Sequence, residues 1–247
     1  MNIIDAYWEK RNLGVSCYEI RLESADKAED VIAAYEQLEE RQYMVVKIPS
    51  SRYDMVQFFQ EQGYRFIEAA ITLTHNLKDI NVPKRLLRIC RQCSWQQMNE
   101  AELVELSNEV RKNIFKTDRI YIDPQFSKEL AARRYDLWIQ DLAKAGNIPY
   151  KVMYQGGIVG FFLNKSLGDG VYDGLLAATY DAYEGTGMGY CIQYAGLMSA
   201  VERGGRKYIG HISGNNPGVS RVLLSIGFSI KEIEYIFIKH NGRRETI

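Results

Sequence analysis

The segment from Leu175 to Phe228 constrains this chain more than any other. An apolar run, Leu175-Leu176-Ala177-Ala178-Thr179, passes through a short acidic and aromatic loop into Glu184-Gly185-Thr186-Gly187-Met188-Gly189, and a helical pattern starts at Tyr190. The order predicts a strand, a glycine loop and a helix N-terminus. Glycine lets the backbone approach a ligand closely, and the unpaired N–H groups of a first helical turn, at the positive end of the helix dipole, attract anions. The loop reads as a cradle for a pyrophosphate, with a plain structural turn as the alternative that the loop alone leaves open.

Two nucleotide folds are excluded by spacing. A P-loop needs Gly-Lys-Ser/Thr after four intervening residues, and Met188-Gly189-Tyr190 supplies neither the lysine nor the hydroxyl for Mg²⁺. A dinucleotide fingerprint would place its third glycine at Tyr190 and an acidic residue about 20 residues further on. That region is Arg203-Gly204-Gly205-Arg206.

A second pattern follows in fixed order. Lys207 to Ile212 reads as a strand, Ser213 to Gly218 as a loop, Val219 to Ile226 as a short helix, Gly227 as its left-handed cap, and Phe228 to Lys239 as a strand. The glycine loop resembles the R/Q-x-x-G-x-G/A loop of the GNAT superfamily of acyl-CoA N-acyltransferases, with Glu184 in place of the leading Arg or Gln. Asn216 and Gly227-Phe228 resemble the superfamily's N-x-x-A-x-x-x-Y-x-x-x-G-F element at the same spacing. Asn215 to Val219, the aromatic strand Glu234 to His240 and Arg134 to Ile139 resemble the dTDP-fucosamine acetyltransferase branch, whose members acetylate a sugar-nucleotide amine.

The resemblance implies acetyl-CoA as cofactor, held by the backbone of Ala177, Ala178 and Thr179, by Glu184, Gly185, Thr186, Gly187, Met188 and Gly189, and by Asn216. It also implies a tyrosine seven residues after the asparagine to protonate the departing thiolate. That position is Leu223, which donates no proton. Substitutes for the acid are Ser220, Tyr190 and Tyr235, and for the base Asp173, which shares strand parity with Leu175, or His211 on the neighbouring strand. Arg119, in the irregular stretch Lys116 to Tyr121, is the candidate for acceptor binding, since a guanidinium can grip a pyrophosphate bidentately. The leading expectation is an acetyl-CoA-dependent N-acetyltransferase acting on a small amine, with a nucleotide-linked amino sugar as first choice. The alternative is an acyl-CoA-binding module without catalysis, serving as sensor or interaction subunit.

Composition narrows the partners. The 31 basic and 31 acidic residues cancel, which argues against a general nucleic-acid or anionic-membrane binder. No apolar run approaches the roughly 18 residues of a membrane span and the N-terminus lacks a signal pattern, so a cytoplasmic location is expected. A small-molecule amine is the expected partner, with no nucleic acid and no membrane, and a homodimer is compatible with the sequence. Cys90-Arg91-Gln92-Cys93 has no second pair, so the four cysteines are read as buried or incidental free thiols, with no metal.

The expected fold class is α/β (α+β): a mixed, mostly antiparallel sheet flanked by helices, with a smaller N-terminal unit. Pro83 marks the boundary, giving residues 1–82 and 83–247; before it Tyr43 to Ile48 reads as a strand, Tyr53 to Gln62 as a helix and Phe66 to Thr74 as an alternating strand, and after it Leu86 to Cys90 reads as a strand and Asn113 to Phe126 as an irregular stretch. The two units echo each other at an offset of 164 residues, aligning Ile48 with Ile212 and Gly63-Tyr64 with Gly227-Phe228. The first unit has no glycine loop ahead of its copy, so it reads as a degenerate partial repeat that binds no CoA. On this reading residues 83–247 carry the cofactor site alone. Chance similarity of two αβ units is the alternative.

Overall fold

The computed structural model describes residues 1–242. In chain order the elements are β1 (Asn2–Asp5), α1 (Trp8–Leu13), β2 (Cys17–Arg21), α2 (Ala28–Glu36), β3 (Tyr43–Pro49), α3 (Tyr53–Glu61), β4 (Arg65–His75) and α4 (Lys84–Cys90). There follow β5 (Ser94–Gln97), α5 (Glu100–Val110), α6 (Arg119–Ile122), α7 (Lys128–Lys144), β6 (Tyr150–Tyr154), β7 (Gly157–Gly168) and β8 (Val171–Thr179). A 3₁₀ turn at Asp181–Tyr183, α8 (Met188–Glu202), β9 (Lys207–Ser213), α9 (Pro217–Ile226) and β10 (Ser229–His240) complete the described chain. Among the described residues these strands form one sheet in the order β1-β2-β3-β10-β4-β9-β8-β7-β6-β5, mostly antiparallel, with helices against its faces.

Local chemistry explains most boundaries. Asn99 and Glu102 form a reciprocal capping box at the start of α5, and Ser127 caps α7 by accepting from the Leu130 N–H at 3.2 Å. The apolar run at Leu86 to Cys90, expected as a strand, is instead the helix α4. Pro83 precedes its first turn, and Leu86, Leu87 and Ile89 pack on the same core cluster as α8, an arrangement that a five-residue apolar run cannot reveal by periodicity. The strand on that side is β5, a few residues later. The stretch from Asn113 to Phe126, read as irregular, contains α6, which Asp118 caps through the Tyr121 N–H at 3.0 Å.

The repeat is present in register. The ranges of β3, α3 and β4 recur as β9, α9 and β10, starting at Tyr43 and Lys207, and Gly63 and Gly227 both hold positive φ (82° and 117°) before the final strand. β2 runs parallel to β3 from Cys17↔Tyr43, and β8 runs parallel to β9 from Val171↔Lys207. The final strands, however, are exchanged. β10 pairs with β3 through Glu234↔Pro49, and β4 pairs with β9 through the equivalent Ala70↔Ser213. β4 and β10 also pair with each other, with Ala70 opposite Glu234 at the centre of this two-fold arrangement. Residues 1–82 and 83–247 are thus joined through one continuous sheet.

Charge is buried near that junction. Glu19 on β2, 8% exposed, pairs with Lys47 on β3 at 2.9 Å and with Arg119 on α6. Burial disfavours its carboxylate, but the fields of Arg119 and Lys47 outweigh this and hold it at about 2. A depressed acid stabilises the fold at pH values above its unfolded range, and that stabilisation is lost as pH falls from about 4.5 towards 2. Glu19→Gln takes from two buried cations, Lys47 and Arg119, the carboxylate that both contact. We expect it to cost about 3–5 kcal/mol at pH 7 in chemical denaturation, and the deficit should shrink as pH drops through that window. An unchanged pH 7 midpoint in the variant would show that the network contributes nothing.

Candidate active site

The parallel ladder between β8 and β9 is short. It pairs Val171 through Gly174 with Lys207 through Gly210 and then stops, and the chains diverge as Leu176 to Thr179 and His211 to Ser213 stay paired outwards with β7 and β4. Two features fix the apex of this wedge. β8 bulges at Leu175, since Leu176 faces Leu163 while Gly174 faces Asn164. A Cβ on Gly174 would lie 2.4 Å from the Tyr208 hydroxyl, which donates to Asn164 Oδ1, while Asn164 Nδ2 donates to the Gly196 carbonyl of α8 at 2.9 Å. Backbone groups of β8 on the open side of the wedge are therefore available to a ligand.

Directly after β8 comes the glycine loop. Gly187 is the N-cap of α8 with φ 87°, Gly185 has φ 75°, and no side chain caps the helix. Space above Gly185 and Gly189 is empty to 4 Å. A cavity of about 450 Å³ joins this helix N-terminus to the wedge, lined by Ala177, Ala178, Thr179, Glu184, Gly185, Gly187, Gly189 and Asn216. Thr186 and Met188 turn away: the Thr186 hydroxyl donates to the Tyr183 carbonyl at 2.6 Å, and Met188 packs into the core. Asn216 also caps α9, accepting from the Val219 N–H at 3.1 Å. Glu184 pairs with Lys116 at 2.7 Å, so its charge is countered by a lysine that also lines the cavity. Lys116 was not singled out in the sequence, because the two are 68 residues apart.

A second cavity, about 700 Å³, opens beyond the wedge and reaches across to β2 and β3. It meets the first at Thr117, Ala177 and Asn216. His211, on β9, lines it. Its Nε2 lies 3.0 Å from Asp173 Oδ1 on β8, and its Nδ1 lies 3.3 Å from Thr72 Oγ1 on β4. A carboxylate only accepts, so Nε2 carries the hydrogen and the Nδ1 lone pair faces the threonine hydroxyl. The two base candidates are thereby one unit, oriented by Asp173, and Thr72 extends it. Sequence reading missed Thr72, which belongs to the exchanged strand. The first repeat carries the same device, since Glu19 and Lys47 stand at the positions on β2 and β3 that Asp173 and His211 hold on β8 and β9.

Other candidates are dispersed. The Tyr235 ring packs edge-on against the exposed Phe66 and, half-buried, against the core cluster of the N-terminal half, and it lines neither cavity. Leu223 is buried at 3% exposure and borders the larger cavity. The Ser220 hydroxyl donates to the Asn216 carbonyl at 2.8 Å, and the Tyr190 hydroxyl accepts from Ser225 at 3.0 Å. Arg119 lines the larger cavity, but its guanidinium is engaged by Glu19. Burial opposes its charge, and the carboxylates of Glu19, Glu9 and Glu68 overcome that and hold it well above its ordinary value. All four cysteines are buried thiols; Cys90 and Cys191 lie 3.4 Å apart between α4 and α8.

Comparison with solved structures decides the architecture. A GCN5-related N-acetyltransferase from Sphaerobacter thermophilus superposes with a TM-score of 0.61 at 12% identity, covering 97% of this chain and 75% of the other. The fold is the GNAT fold. A second GCN5-related N-acetyltransferase, from Kribbella flavida, gives a TM-score of 0.54 at 14% identity over 92% of this chain and 82% of its own. A tandem GNAT protein from the clavulanic acid biosynthesis pathway gives 0.56 at 10% identity over 93% and 76%. No family model matches the chain. No curated protein matches it. The expected GNAT architecture is thus borne out at the level of fold. No helix among the described residues is long and apolar enough to cross a membrane.

Proposed function

We propose that the protein is an acetyl-CoA-dependent N-acetyltransferase acting on a small primary amine. The observation that carries this reading is the wedge between β8 and β9 running into the uncapped N-terminus of α8 through one cavity. The residues present fit CoA: glycines leave room for a pyrophosphate at the helix dipole, and unpaired β8 backbone can bind the amide groups of a pantetheine arm. Residues 83–247 supply this site. The equivalent helix of residues 1–82, α2, carries Glu29 and Asp30 in its first turn, which neutralise the dipole and repel phosphate.

Bound acetyl-CoA would supply the thioester carbonyl. His211 Nδ1 accepts the proton that the acceptor nitrogen must lose, with the Thr72 hydroxyl as relay and Asp173 stabilising the imidazolium. Leu223 offers the thiolate no proton. A thiolate with an ordinary pKa near 8.5 is a tolerable leaving group, so it departs without a side-chain acid. The resemblance to the dTDP-fucosamine branch makes nucleotide-linked amino sugars one class of acceptor to try.

Thiol release from acetyl-CoA across a panel of amines, nucleotide-linked amino sugars included, tests the reading. His211→Ala is expected to lower turnover by about 10²–10⁴-fold with acetyl-CoA affinity retained. Absence of release with every amine, while CoA still binds, would favour the non-catalytic acyl-CoA-binding module instead.

A further inference from the structure

The larger cavity is walled by many charges, and nearly all are matched internally. Lys47 and Arg119 share Glu19, Arg21 faces Glu234 at 2.9 Å, Arg134 faces Glu9 at 2.6 Å, and Asp141 faces Arg11 at 2.5 Å. His211 has Asp173, and Asp118 caps α6. Among the described residues Asp118 and Glu68 on β4 are the lining carboxylates with no cation at ion-pair distance, and Glu68 is the buried one. It lines the cavity at 6% exposure and accepts from the Arg119 backbone N–H at 3.0 Å and from the Ser213 hydroxyl. Among the described residues no cationic side chain lies within ion-pair distance of it. Burial pushes its carboxyl above the usual range, and the Ser213 hydrogen bond, the Arg119 charge and the Arg119 N–H only partly oppose this.

Its neighbours place it beside the junction of the two cavities. Arg119 follows Thr117 by two residues and Ser213 precedes Asn216 by three, and both Thr117 and Asn216 line both cavities. A buried carboxylate that no cation touches is costly even in the field of the Arg119 charge, and a cation docking against it lowers that cost. Resting on the acetyltransferase reading, we propose that Glu68 seats the ammonium group of the acceptor, and that the acceptor is a cationic amine whose remainder is uncharged, such as an amino alcohol or a free amino sugar. Every cation lining the cavity already faces a carboxylate, with Lys47 and Arg119 sharing Glu19, so an acidic group on the acceptor would have to compete for a cation that is already engaged. Free amino acids and pyrophosphate-linked amines therefore fit less well. The seat comes from the first half of the chain and the cofactor loop from the second.

The test is calorimetric titration of the full chain saturated with CoA, using two probe series of matched shape. One is glucosamine, glucose and glucosamine 6-phosphate; the other is hexylamine, hexanol and 6-aminohexanoate. In at least one series the ammonium compound should bind tenfold or more tightly than its neutral and acid-bearing counterparts. Glu68→Gln should erase that preference while CoA still binds, and Glu68→Asp should keep part of it. Equal binding of the neutral or acidic compound, no binding of either ammonium compound, or a preference that survives Glu68→Gln would each overturn the proposal. If Glu68→Gln does not fold, the ranking in the parent protein decides alone. Thiol release with the same amines and acetyl-CoA is read separately: an ammonium preference without release would sink the acetyltransferase reading and leave the seat standing.

Discussion

A protein beginning at residue 83 is expected not to fold on its own. Such a fragment keeps the glycine loop, α8 and the wedge, yet it lacks β4, which hydrogen-bonds to β9 from Ala70 to His75 and to β10 from Arg65 to Thr74. Removing a central strand leaves both neighbours with unpaired edges and takes away Ile71 and Leu73, so the α9 residues Leu223 and Ile226, which share their core cluster, lose that apolar cover. Thr72, the partner of His211, would go as well. Circular dichroism and denaturant titration of residues 83–247 should show no cooperative transition, and addition of residues 1–82 in trans should restore one. Cooperative unfolding of the fragment together with CoA binding would show that the second half is self-sufficient and that the exchanged strand is dispensable.

The second large effect is expected at the cradle. Gly187→Asp places a side chain at φ 87° and a negative charge at the N-terminus of α8, where the ligand's own charge must sit. The backbone strain costs about 1–2 kcal/mol. The charge should remove the stabilisation by CoA, which for the parent is about 2.7 kcal/mol at a ligand concentration a hundred times Kd. Gly146→Asp is the control. It carries the same strain at φ 86° in the turn after α7, with nothing within 4 Å, and should keep the full ligand-dependent rise in Tm. If Gly187→Asp is stabilised by CoA as much as the parent, the pyrophosphate does not bind at this loop.

Much of the site was legible because its chemistry is carried by consecutive residues. The glycine loop, the capping Asn216 and the left-handed Gly227 are each dictated by backbone requirements that only a few residue types meet, and the chain folds at those points as the spacing predicts. Strands β3, β4, β9 and β10 and the helices between them were likewise set by alternation, apolar stripes and glycine caps. Asp173 and His211 were legible as separate candidates on neighbouring strands, but their union with Thr72 was not. Tyr235 shows the reverse. Its position on an aromatic strand suggested a proton donor, whereas β10 packs it, half-buried, against the core of the other half.

Local sequence determined most of the segments that became strand, loop and helix, α4 and α6 excepted, and it determined the repeat itself, since the same pattern of apolar spacing and glycine recurs after 164 residues. Which copy of the final strand completes which half is a different kind of question. Copies of one element present the same hydrogen-bonding edges and nearly the same apolar face to either neighbour, so their patterns do not distinguish pairing within a half from exchange between halves. That choice was made by the packed structure, where β4 lies beside β9 and β10 beside β3, and it brought Thr72 and Glu68 to a cavity that adjoins a glycine loop more than a hundred residues later in the chain. Ion pairing followed from the same choice: Glu19, Lys47 and Arg119 meet only because the sheet and α6 converge, and no residue spacing in the sequence encodes that convergence.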